Sequence, residues 1–129
     1  WRHLVTPGTP IPTPWDKAAF DERSNAAQKV RREINERLAQ ANRDGASAAE
    51  IAALEKERNE LARTTAEWAE GFLATTDYAD RVGAFEGAGY ASQGLYRPAV
   101  DCLMFRRGVQ PFCPVCREAV SEVIRFYAP

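Results

Sequence analysis

The chain has 129 residues, 45% of them apolar and 27% charged, which is the size and balance of one ordinary domain rather than a disordered segment. Seventeen basic residues against eighteen acidic ones leave a net charge of −1, so long-range attraction to nucleic acid or an anionic membrane has no support. No apolar run reaches the length of a membrane span or the core of a signal peptide, and with a start at Trp1 rather than Met a processed or truncated piece is expected.

The first element is a proline-rich arm over residues 1–17. "TPGTPIPTPW" (6–15) holds four prolines, each lacking a backbone donor and fixing its own φ, so neither a helix nor a central strand fits there. Extended, partly polyproline backbone is expected, either as a plain linker or, through Trp1, Ile11 and Trp15, as an arm packed onto a surface.

Residues 18–72 read as an antiparallel helical hairpin. Ala27, Val30, Ile34, Leu38 and Ala41 recur at three or four with no internal Gly or Pro. Gly45 in "NRDGAS" suits a helix stop, and Ser47 with Glu50 three residues on is a capping-box signature for a second helix. There Ile51, Leu54, Leu61, Trp68 and Phe72 hold one face, interrupted by Arg58 and Thr65. Helices of this length make a rod of about 36 Å. Its charges are finely interspersed, the pattern of a solvated face, and its thin apolar stripes call for docking or self-association.

From residue 73 the texture changes to turn residues and short apolar pieces, a loop-dominated region with at most short strands. "PVCREAVSEVIRFY" then reads as a short amphipathic helix, with Pro114 in its first turn and Val115, Ala119, Val123 and Tyr127 on one face. The expected class is therefore mainly α: a long helical hairpin plus a loop-rich, cysteine-containing segment that ends in a short helix.

Chemistry-bearing residues gather after residue 82. Glu86 sits among Gly83, Gly87 and Gly89, where a carboxylate can accept local backbone hydrogen bonds, hold a substrate group or, as a weak candidate, ligate a metal. Tyr90 and Tyr96 flank Gly94, and Arg97 can grip a carboxylate bidentately or tie a loop among aromatic rings. Cys102, Cys113 and Cys116 admit four readings: a disulfide from Cys102 to either partner, buried thiols, part of a zinc knot, or a redox pair at a helix start. A four-ligand zinc knot lacks an obvious fourth ligand, because the only histidine is His3. The chain contains no His-Glu-x-x-His, no Ser-His-Asp set and no phosphate-binding loop.

"VGAFEGAGYASQGLYRPAVDCLM", followed by "PFCPVCREAVSEVIRFY", resembles the C-terminal part of the IgA-peptidase-like zinc metallopeptidases. The matching positions are Gly83, Glu86, Gly87, Gly89 and Tyr90, then Leu95, Tyr96, Arg97 and Pro98, then Cys102 and Met104, and finally Phe112, Cys113, Val115 and Cys116. The Trp1–Trp15 arm extends the match more weakly, and the helical hairpin looks like an insertion.

The resemblance implies a fragment of a larger α/β metallopeptidase domain, with residues 73–129 as its C-terminal subdomain. The His-Glu-x-x-His helix would lie upstream, binding zinc and activating water on a peptide or protein substrate. "DCLM" would be similar to a methionine turn, with Met104 an apolar floor whose truncation costs packing. Glu86, Tyr90, Tyr96 and Arg97 become candidates for the cleft wall. The resemblance places zinc in the parent enzyme, with no cofactor firmly expected in this chain, and points to a secreted or cell-surface protein. The alternative is a helical protein-interaction module with a disulfide- or zinc-stapled base.

Overall fold

The computed structural model describes residues 1–89, 91–106 and 111–128. A single 3-10 turn at Arg2–Leu4 leads the arm. Helices α1 (Lys17–Arg43) and α2 (Ala48–Ala74) follow, then strands β1 (Phe85–Ala88) and β2 (Ala91–Arg97), then helix α3 (Pro114–Tyr127). The fold is mainly helical, with two packed helices, a small antiparallel hairpin, a cysteine-containing loop region and a short last helix. It forms two compact units, one of Ala18–Phe72 and the other of Trp1–Lys17 with Leu73–Pro129.

In the helical unit the stop and start signals operate as their chemistry requires. Gly45 takes φ +70°, where a Cβ is disfavoured, so the Ala46 N–H reaches back to the Ala41 carbonyl at 2.9 Å and the Gly45 N–H to Asn42 at 3.4 Å. Those two bonds satisfy carbonyls that the end of α1 would otherwise leave open. The Ser47 N–H then donates to Glu50 Oε2 at 2.8 Å while the Glu50 N–H donates to Ser47 Oγ at 3.3 Å, the reciprocal pair of a capping box.

Of the α1 stripe, Ile34 and Leu38 are buried, Ala27 and Ala41 are half-buried, and Val30 is exposed. The α2 series is half-buried throughout, including the interrupting Arg58 and Thr65, and the buried residues of α2 are Ala69 and, near its end, Leu73. Aromatic rings close the ends of the two helices. Phe20 stacks on Trp68 at 5.2 Å and meets Phe72 at 5.7 Å, while the Arg23 guanidinium lies 4.6 Å from the Trp68 ring. Each such ring pair adds about 0.5–1.5 kcal/mol beyond simple burial. The exposed Arg37–Glu57 bridge at 3.0 Å adds less, about 0–1 kcal/mol.

In the other unit the arm lies beside β1. The Thr13 N–H donates to the Ala84 carbonyl at 2.8 Å, making a parallel bridge between Thr13 and Phe85. The Thr13 hydroxyl accepts from the Ala84 N–H and donates to the Pro10 carbonyl, both at 2.8 Å. Trp1 Nε1 donates to the Gly83 carbonyl at 2.9 Å, and the Thr6 N–H to Val82 at 3.0 Å. The arm is thus a paired segment, and Leu73, Val82, Phe85, Ala99 and Val100 are buried in the unit it joins. Strands β1 and β2 pair Phe85 with Arg97 and Glu86 with Tyr96, and the register then shifts, with the extra residues on the β2 side opposite Gly87, φ +102°, before the Ala88–Ala91 pair.

Gly83 is required for close approach. A Cβ there would overlap the Thr13 hydroxyl and lie 3.1 Å from both Thr13 Cβ and Thr9 Cγ2. Gly71, inside α2, has nothing within 4 Å of an added Cβ. Gly83→Ala is therefore expected to cost about 1–3 kcal/mol by overpacking, whereas Gly71→Ala should gain about 0.4–1 kcal/mol by restricting the unfolded chain. Denaturant unfolding of the two variants checks the opposite signs.

Candidate cleft wall and thiol cluster

An open cleft of about 320 Å³ lies between Pro12–Trp15 of the arm, Lys17, and Glu86 and Tyr96 of the β-hairpin. The strand pleat decides which side chains reach it. Glu86 faces Tyr96 in the register while Phe85 faces Arg97, so Glu86 and Arg97 project from opposite faces of the two-stranded sheet. Glu86 Oε1 accepts the Gly94 N–H at 3.0 Å, and the backbone carbonyl of Glu86 accepts Trp15 Nε1–H at 3.1 Å. The glutamate therefore fastens β1 to both the turn in β2 and the arm. Lys17 Nζ donates to Ser92 Oγ at 2.6 Å, a second tie from the arm to β2.

Arg97 is held by aromatic faces. Its guanidinium lies 4.9 Å from the Trp15 ring and 5.2 Å from the Phe105 ring, a planar cation between two π systems. The same residue thus links the arm, β2 and the turn after Cys102. Tyr96 is exposed on the cleft side, and Tyr90 lies outside the described residues. The contributions of Thr13, Lys17 and Phe105 were not legible in the sequence. A threonine among prolines, a lysine at a helix start and a lone phenylalanine carry no spacing signal.

The residues "DCLM" do form a turn, with the Phe105 N–H donating to the Cys102 carbonyl at 2.9 Å. Asp101 anchors it: its carboxylate accepts Arg106 Nε at 3.0 Å and Nη2 at 2.6 Å, as well as the Cys102 N–H at 2.9 Å. Met104, however, is 64% exposed. The expected packing loss on its truncation has no basis within this chain, because little of the side chain is surrounded.

The turn carries Cys102 to the start of α3, where Pro114 supplies a first helical residue whose missing N–H is no loss. Cys113 precedes it with extended backbone, and Cys116 follows one turn in. The three Sγ atoms lie within 4.8 Å of one another, Cys102 and Cys113 buried and Cys116 half-buried. No disulfide joins them: all are free thiols. The Cys113 N–H donates to Cys102 Sγ at 3.2 Å. Burial opposes ionisation of Cys102, but the N–H groups of Cys113 and Met104 and the two neighbouring thiols hold its pKa below the ordinary value. Burial first, and the neighbouring Cys113 and Cys102 next, push Cys116 up to about 12.

This convergence corrects the expectation that the chain itself holds no cofactor. Three soft, deprotonatable sulfurs within a few ångströms form a donor set able to coordinate a metal ion. The sequence admits Cys102 beside Cys113 or Cys116 as a disulfide or as part of a zinc knot, and the structure brings all three sulfurs together. Beside the cluster the Leu103 N–H donates to the Pro111 carbonyl at 3.3 Å. Glu86, the weak metal candidate, does not belong to the group.

A catalytic zinc of the kind the resemblance implies is not accommodated by the residues present. The only histidine, His3, is 69% exposed at its side chain and has Nε2 3.0 Å from Glu118 Oε1, and no His-Glu-x-x-His occurs. No hydrolytic step is assigned to this chain's residues. Among the described residues, no helix is long and apolar enough to cross a membrane.

No curated protein and no solved structure matches the chain. The family described as IgA Peptidase M64 matches residues 1–124, a span that takes in the arm, both long helices, the cleft wall and the cysteine cluster. The chain belongs to the IgA peptidase M64 family.

Proposed function

We propose that this chain is the non-catalytic C-terminal portion of a zinc-dependent endopeptidase, completing the cleft that a His-Glu-x-x-His segment upstream would equip for peptide hydrolysis. The observation that carries this reading is exposed apolar surface. Val123, Ile124, Phe126 and Tyr127 of α3 stand in solvent, Phe126 at 78%, together with Leu103 and Met104 on the cysteine turn. A helix that presents its apolar side chains to water is stabilised when another surface covers it, and the remainder of the peptidase is that surface.

In this reading Glu86 and Tyr96, with Tyr90, shape the wall of the cleft, Arg97 braces that wall through the Trp15 ring, and Met104 serves as an apolar floor beneath the catalytic segment. The compact unit that joins Trp1–Lys17 to Leu73–Pro129 supports treating the arm and residues 73–129 as the peptidase part, with residues 18–72 inserted between them. The substrate is a peptide or protein. On family grounds, the protein acts outside the cell or at its surface.

Two expected outcomes follow. The purified 129-residue chain should cleave no peptide in the presence of zinc, whereas a chain extended to include an upstream His-Glu-x-x-His segment should do so. Zinc-dependent cleavage by the short chain would refute the assignment. Met104→Ala should change the unfolding free energy of the short chain by less than about 0.5 kcal/mol, and should cost about 2 kcal/mol or more in the extended protein, where the side chain is covered. Equal, negligible effects in both would remove Met104 from the floor.

A further inference from the structure

We propose that Cys102, Cys113 and Cys116 form a thiolate site for one zinc ion, which locks the Cys102 turn to the first turn of α3. The proposal does not depend on the peptidase reading. An odd number of cysteines cannot all be consumed by disulfides within the chain, and the two most buried thiols come from segments eleven residues apart. Something other than a simple pair is needed to use all three.

The surroundings favour a negative sulfur at Cys102 and, for the three sulfurs together, a compact cation. The Cys113 N–H points at Cys102 Sγ at 3.2 Å, so backbone already donates into the centre of the cluster. The positive end of the α3 dipole lies at Cys113–Cys116, where it offsets the single negative charge of a zinc ion bound by three thiolates. Ala99, Phe112 and Val115 pack around the cysteines, excluding water from two of the three sulfurs and strengthening charge attraction. Zinc–sulfur bonds of about 2.3 Å set tetrahedral sulfurs about 3.8 Å apart. The present limit of 4.8 Å therefore contracts by rotamer adjustment, without moving a helix.

Binding exchanges three thiol protons for one zinc ion and needs no oxidant: each S–H loses its proton to solvent, and its electron pair forms a Zn–S bond. Cys116 is the half-buried member, so the fourth coordination position opens on its side, where a solvent water fills it. The donor chemistry is soft sulfur, which excludes magnesium and calcium as occupants.

The test uses the full, reduced 129-residue chain with Zn²⁺ alone, and Co²⁺ as a spectroscopic probe. Native mass spectrometry should show one zinc per chain, Co²⁺ should give thiolate-to-cobalt charge-transfer absorption, and zinc should slow alkylation of all three thiols. The near-isosteric Cys116→Ser should retain its helical circular dichroism yet bind zinc roughly 100-fold or more weakly. Chelation should lower the melting temperature of the wild type and leave that of Cys116→Ser unchanged. Should the variant fail to fold, the alkylation of the wild type still decides: equal rates with and without zinc overturn the proposal. So does a mass two protons lower, reporting a disulfide, or zinc affinity that survives the loss of Cys116.

Discussion

Thr13 makes the interaction on which the rest of the unit of Trp1–Lys17 and Leu73–Pro129 depends. It is the one buried polar side chain among the described residues, and its hydroxyl both accepts from Ala84 and donates to Pro10. Its backbone N–H meets the Ala84 carbonyl as well, so a single residue joins chain segments 71 positions apart. Removing any of these partners inside a buried site would leave a donor or acceptor unsatisfied, at a cost of about 1–3 kcal/mol. Gly83 is small because Thr13 stands against it.

From that clasp the site follows in order. The arm fixes Trp15, which receives the Arg97 guanidinium on its ring and donates its indole N–H to the backbone of Glu86. Arg97 in turn contacts Phe105, the residue that closes the turn after Cys102. The cleft wall and the thiol cluster are thus successive stations along one chain of contacts within one unit. Coupling between them would be carried by Arg97, a rigid planar cation between two rings, better suited to that role than a lysine.

The sequence was most legible where local chemistry decides structure. Both helices of the hairpin, the Gly45 stop, the Ser47–Glu50 box and the Pro114 start all rest on interactions within a few residues, and the structure forms each. The short strands emerged only as turn-rich texture, because glycines at positions 87, 89 and 94 mask the alternation that marks a strand. Long-range pairings were illegible: nothing in "PIPTPW" announces a partner at Ala84, and nothing in "DCLM" shows that Cys102 Sγ meets the Cys113 N–H. Of the motif residues expected at the cleft, Glu86 and Tyr96 line the open cleft beside the arm, while a disulfide, which spacing allows as readily as a thiol cluster, is not formed. Helix α3 has the expected apolar side chains, yet beyond Val115, which packs on the cysteine cluster, Val123, Ile124 and Tyr127 face water, since periodicity reports a face and not what covers it.

The most direct test of the clasp is native-state hydrogen exchange at the amides of Thr13 and Ala84. Each bonds to the other residue across the arm–strand junction, so both should be protected to a similar degree and lose protection together, with the arm and β1 opening as one unit. Exchange of the Thr13 amide at the rate of an unstructured peptide, while the amides of β1 remain protected, would show that the arm does not hold the unit together and would contradict the account.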